Sequence, residues 1–223
     1  MTFSLVARCA KTGQFGMVIS SSSPAVAARC AHLRAGVGVV ASQNITDPGL
    51  GPELLDHMAQ GKSGAEALAV VTKGRAHIDY RQLLVVDASG GCAIHSGAQV
   101  LGVWGQALGL DCAAGGNLLA NTEVPKAMVA AFEAASGHLG DRLIAALQAG
   151  LDAGGEAGPV HSAGLKIADK LDWPLADLRI DWSDSPIADL TTTWAVYRPQ
   201  MAAYVQRALD PTIAPSYGVP GDE

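Results

Sequence analysis

Aromatic side chains make up only 5% of this 223-residue sequence, and positive charge is in the minority, with 15 Lys and Arg against 21 Asp and Glu for a formal charge of −6. Nucleic acid needs a basic footprint, which is missing. No run of Lys and Arg suggests an acidic membrane surface, and no apolar stretch is long enough to span a bilayer. The start lacks the basic-then-apolar layout of a signal peptide. Cys9, Cys30, Cys92 and Cys112 are widely spaced with no C-x-x-C pair, as expected of free thiols in a cytosolic protein. The six His include no H-E-x-x-H, and no Cys/His set has zinc spacing, so no metal is expected. Gly36-Val37-Gly38 precedes its strand, where a dinucleotide loop would follow one, so no cofactor is expected either. These absences predict a cytoplasmic protein that binds no nucleic acid or membrane. A homodimer remains open.

What is present is an apolar share of 49% with 26 Gly, a mix suited to closely packed layers. Phe3, Leu5 and Ala7 alternate with Ser4, Val6 and Arg8, which predicts a strand from the first residues. A turn at residues 10–13 leads into a second strand over 14–21, so the opening reads as a hairpin. Residues 24–34 read equally as a short helix or an ordered loop. Further strands are expected at 36–43, 81–87, 92–96, 108–115, 160–168 and 178–182. Helices are expected from Gly51-Pro52 to Gln60, from the capping box Ser63/Glu66 to Gly74, from Asn121 or Thr122 to Ala135, over 141–153 and over 185–197. Pro199 should kink or restart the last one. Strands and helix pairs come in segregated runs, which suits an α+β layered sandwich better than βαβ winding. The expectation is one domain over residues 1–209 and a Pro/Gly-rich tail over 210–223, as an arm or disordered.

Six short stretches in order carry a family resemblance: Met1-Thr2-Phe3-Ser4, Arg34-Ala35-Gly36-Val37-Gly38 with Gln43, Gly51-Pro52, Arg81-Gln82-Leu83 with Val86-Asp87, Gly116-Asn117, and Ser162-Ala163 with Asp177-Leu178-Arg179-Ile180-Asp181. The chain resembles the domain-of-unknown-function 1028 family, placed among N-terminal-nucleophile hydrolases, up to about Leu190. The resemblance implies a four-layer αββα sandwich of two packed, mainly antiparallel sheets, with the first strand central. It also implies amide hydrolysis by the first residue of the mature chain. Three departures bear on the substrate pocket: Ser22-Ser23-Pro24 replaces bulky residues, Gly115 stands where Gln commonly precedes Gly-Asn, and Asp181-Trp182-Ser183 lacks a His.

The chemistry turns on Thr2. A hydroxyl needs an adjacent base to act as a nucleophile, and a free α-amine has an ordinary pKa of about 7.7–8.0, so part of it is neutral near pH 7. If Met1 is removed, Thr2 carries nucleophile and base together; if Met1 is retained, the amine is displaced. Asn117, in a flexible glycine-rich setting, is the candidate oxyanion donor or an Asn tolerating a turn. Ser21 can relay a proton and Gln43 can orient the amine, if each is not simply bonded to backbone. Arg81 can bind a substrate carboxylate and Asp181 can steady the ammonium, or each can serve a structural ion pair. His161 and Ser162 are adjacent on a strand and so face opposite sides. Cys30 with His32 lacks a third orienting group. The leading reading is an amidohydrolase that cleaves a C–N bond of a small substrate; the alternative is a non-catalytic ligand binder or oligomeric scaffold on the same fold.

Overall fold

The computed structural model describes residues 1–221. The opening hairpin forms as its alternation requires: β1 (Thr2–Arg8) pairs antiparallel with β2 (Phe15–Ser21). Residues 24–34 settle into both of the local structures that compete for them. A five-residue helix α1 (Val26–Cys30) runs directly into β3 (Ala31–Arg34). The expected strand at 36–43 starts later, as β4 (Gly38–Gln43), because Gly36 takes a left-handed φ of 69° in the turn between β3 and β4.

Helices α2 (Leu50–Ala59) and α3 (Gly64–Thr72) follow, the second opened by the reciprocal Ser63/Glu66 capping box. Strands β5 (Gln82–Asp87) and β6 (Cys92–Ser96) come next. The single strand expected at 108–115 is instead a hairpin, β7 (Gly105–Gly109) and β8 (Cys112–Asn117), turned by Asp111 at φ 56°. Helix α4 (Val124–Ala134) has Pro125 in its first turn, and α5 (Leu139–Asp152), capped by His138, begins two residues before the expected start. The chain ends with β9 (Ser162–Ala168), β10 (Ala176–Ile180), α6 (Pro186–Tyr197) and, restarting after Pro199, α7 (Met201–Leu209). Asp181 therefore lies just past its strand. The tail carries a single 3-10 turn at Pro211–Ile213; its last two positions, 222 and 223, lie outside the described residues.

Two antiparallel sheets result, ordered β10-β9-β2-β1-β8-β7 and β3-β4-β5-β6. Three apolar layers hold them. Phe3, Leu5 and Ala7 join Met128, Phe132, Leu143 and Leu147 of α4 and α5 on the outer face of the larger sheet. Val6, Met17 and Ile19 meet Val39, Leu84 and Val86 between the sheets. Val40, Leu83 and Val85 pack under Leu54, Leu55 and Leu68 of α2 and α3. The architecture is the four-layer αββα sandwich, with β1 in the interior of its sheet. Among the described residues no helix is long and apolar enough to cross a membrane.

Candidate active site

The period of two in β1 sends Thr2, Ser4 and Val6 into the space between the sheets. Register does the rest. Thr2 pairs with Asn117 of β8, Ser21 of β2 pairs with Ser162 of β9, and Phe3 pairs with Ser20, so Thr2 lies one step on beside Ser21. Asn117, Thr2, Ser21 and Ser162 thus form one polar row across four strands at the mouth of the inter-sheet space. One layer deeper, Ser4 donates to Gln43 Oε1 (2.6 Å), Gln43 Nε2 donates to Gln82 Oε1 (2.9 Å), and Gln82 Nε2 donates to Ser96 Oγ (3.0 Å). That ladder joins the two sheets and forms the floor of the site. A Cβ on Gly115 would sit 3.0 Å from Leu84 Cδ2 and 3.4 Å from Gln82 Nε2, so the Gly at this position lies directly over the floor.

Within the row, the satisfied groups and the unsatisfied one are distinct. Ser21 Oγ donates to the Met1 carbonyl at 2.5 Å and accepts from the Ser23 N–H at 3.0 Å. The Thr2 hydroxyl donates to the same Met1 carbonyl. Ser162 Oγ donates to the Ser23 carbonyl at 2.6 Å. Asn117 is 1% exposed, yet neither its Oδ1 nor its Nδ2 has a hydrogen-bond partner. A buried orphan polar group costs about 1–3 kcal/mol, so a native structure that keeps one calls for an explanation.

Just beyond β1, residues 156 and 157 bridge the strands on either side of it. Ala157 donates to the Leu118 carbonyl, Glu156 bridges to Leu119, and both carboxylate oxygens of Glu156 accept the Ser22 N–H at 3.1 Å. Leu118 takes a left-handed φ of 52° as the chain leaves β8 for this bridge. Glu156 is 5% exposed. Burial pushes its carboxyl up to about 7, against the pull of the Met1 ammonium, the Ser22 hydrogen bonds and His161. Sequence reasoning missed this residue. Its one signal is a lone acid after Gly154-Gly155.

The other expected site residues spread out. Gln43 belongs to the floor, bonded to Ser4 and Gln82. Arg81 precedes β5, and alternation with the inward Gln82 puts it on the opposite face of that sheet; its side chain has no hydrogen bond or ion pair among the described residues. Asp181 extends the polar row past Ser162, three strand spacings or about 14 Å from Thr2, and its carbonyl is engaged by the Ala25 N–H at 2.9 Å. Among the described residues neither Arg81 nor Asp181 makes the structural ion pair weighed for it. His161 stacks on Trp182 at 4.4 Å, turned away from Ser162. The Cys30 thiol is buried against Thr46 Oγ1 at 3.6 Å, and burial pushes its pKa up, while His32 turns its Nε2 to the Arg29 carbonyl at 3.2 Å. Among the described residues no three His, Cys, Asp or Glu side chains are grouped to hold a metal.

Fold and site together define a class: an αββα sandwich with a polar mouth, where an interior strand begins on a hydroxyl-bearing residue beside an unpartnered amide. The chain belongs to the family of unknown function DUF1028, whose model matches residues 2–190. It is similar to the crystal structure of protein SPO2555 from Silicibacter pomeroyi, of the same family, at 29% identity and a TM-score of 0.86 over 92% of this chain and 90% of that one. Much looser likenesses reach Anbu (ancestral beta-subunit) from Yersinia bercovieri, at 11% identity and a TM-score of 0.39 over 91% of this chain and 97% of that one. A Gly-1 mutant of Anbu from Hyphomicrobium sp. strain MC1 gives 12% and 0.42 over the same shares, 91% and 97%. Scores that low carry no conclusion about this chain. No curated protein matches it.

Proposed function

We propose that the protein is an N-terminal-nucleophile amidohydrolase that acts through Thr2 once Met1 is removed. The observation that carries this reading is the cross-strand pairing of Thr2 with Asn117, whose buried carboxamide has no hydrogen-bond partner. In the reaction, the neutral α-amine of Thr2 takes the proton from Oγ1, and Oγ1 attacks the substrate carbonyl carbon. Asn117 Nδ2, one strand away, donates to the oxyanion, which explains an amide kept buried and unbonded in the resting protein. The ammonium returns the proton to the departing amine, the C–N bond breaks, and water hydrolyses the ester left on Thr2. The Gln43–Gln82 floor excludes water from below and fixes the height of β1 through Ser4.

A β-lactone tests this without knowledge of the substrate. Thr2 Oγ1 forms an ester with the lactone carbonyl, the ring C–O bond breaks, and the freed alkoxide takes the proton from the ammonium. The whole lactone mass is retained. Protein beginning at Thr2 is expected to gain one lactone mass on that residue, and Thr2→Ala none. An adduct elsewhere, or none at all, overturns the reading. The second reading, a non-catalytic binder, is favoured by the tie between the Thr2 hydroxyl and the Met1 carbonyl. An intact mass that still includes Met1 in protein from its natural host supports it.

A further inference from the structure

The seat occupied by Met1 is itself informative. Met1 is an α-aminoacyl group in amide linkage to Thr2, and its carbonyl lies against the Thr2 hydroxyl and the Ser21 hydroxyl. An acyl carbonyl in that seat is within reach of the proposed nucleophile. The neighbouring residue, Ser22, holds the Glu156 carboxylate through its N–H, and the Met1 amino end of the same group acts electrostatically on that acid. Glu156 is almost fully buried, and among the described residues no cation lies within ion-pair distance of it. A buried carboxylate without a cation is costly. The titratable groups that act on it are the Met1 amino end and His161. The seat is open on its outer side: Met1 is 38% exposed, and its terminal methyl lies 4.0 Å from where a Cβ on Gly158 would be.

We infer that the space vacated by Met1 is an α-aminoacyl subsite, so that the substrates are α-amino acid amides with a free ammonium. Glu156 faces the ammonium, and the substrate side chain points toward solvent, where little discriminates among side chains. The inference rests on Thr2 as the nucleophile, because only then does the acyl group belong in this seat. Glu156 is a specificity residue and takes no part in bond making.

Binding separates this inference from the hydrolase reading. Protein that begins at position 2 and carries Thr2→Ala turns nothing over, so calorimetry can compare methioninamide with 4-(methylthio)butanamide, the same molecule without its ammonium. Methioninamide is expected to bind about tenfold tighter or more, as befits a hydrogen bond between charged groups. Glu156→Gln, which keeps the acceptor for Ser22, is expected to erase the difference and leave the amine-free amide unchanged. Equal binding of the two amides, binding of neither, or a preference that survives Glu156→Gln overturns the inference. If the β-lactone labels Thr2 but no ammonium preference is found, the subsite fails and the hydrolase reading stands. A preference without labelling overturns the hydrolase reading and, with it, the inference that these amides are substrates.

Discussion

Two buried carboxamide groups lie one layer apart on the inner face of the sandwich, and they are treated in opposite ways. Gln43 and Gln82 are both fully buried and joined to Ser4, Ser96 and one another. The Asn117 carboxamide, equally buried, has no hydrogen-bond partner among the described residues. Elementary solvation would lead evolution to bond both or to replace both with apolar groups. The deeper pair obeys, and its job is to join the sheets. The upper amide does not, and it is the one beside Thr2. Polarity alone therefore does not mark a site; here the unmet demand for a partner falls beside Thr2.

Breaking the floor should give the largest effect on stability. Gln43→Ala leaves the Ser4 hydroxyl and Gln82 Oε1 without their partners in a dry interior and opens a cavity between the sheets. A loss of about 3–5 kcal/mol is expected, or a fall of roughly 10 °C in Tm for a domain of this size. A loss under about 1 kcal/mol in urea unfolding would mean that water fills the gap and that the floor is not what holds β1.

Glu156 gives a smaller, pH-dependent effect. Its carboxyl is raised from 4.5 to about 7 in the folded protein, so folding favours the neutral acid. The unfavourable contribution is absent below the unfolded value, grows between about pH 4.5 and 7, and is constant above. Glu156→Gln removes it. The stability of the variant relative to the parent, each retaining Met1, should therefore rise by about 3 kcal/mol between pH 4 and pH 8, at about 1.4 kcal/mol per pH unit. A difference that stays flat with pH would show that the carboxylate is already compensated when charged.

How much of this was readable in the residues follows the range of the interactions. Alternation in β1, the Ser63/Glu66 cap and the proline in α4 are local, and each was legible. So was the layered architecture, through the order of elements and the family resemblance. The β7–β8 hairpin was not, because Leu110-Asp111 carries no Gly to signal a tight turn and Asp111 takes the left-handed conformation itself. Strand β3 was hidden because four residues directly after a five-residue helix show no period of their own. Thr2, Ser21 and Asn117 could be named as candidates, but only sheet order sets them in one row, and it sets Asp181 three strands off and Arg81 on the other face. Gln82 and Glu156 owe their roles to partners 39 and 134 residues away, and no local pattern encodes such distances.

The smallest stability effect and the sharpest contrast belong to Asn117→Ala. The substitution breaks no hydrogen bond, because the carboxamide makes none, and it removes two unsatisfied polar atoms along with the packing of one side chain. Those contributions oppose each other, and a net change within about 0.5 kcal/mol is expected. Labelling of Thr2 by the β-lactone should nevertheless slow by about 10²–10³-fold, the usual cost of losing one oxyanion donor. Gln43→Ala makes the opposite prediction, with a large loss of stability and a labelling rate that falls only as far as β1 is displaced. Should Asn117→Ala destabilise the fold as much as Gln43→Ala does and leave labelling unchanged, the two amides would be the same kind of residue, and the upper one would have no claim on the chemistry.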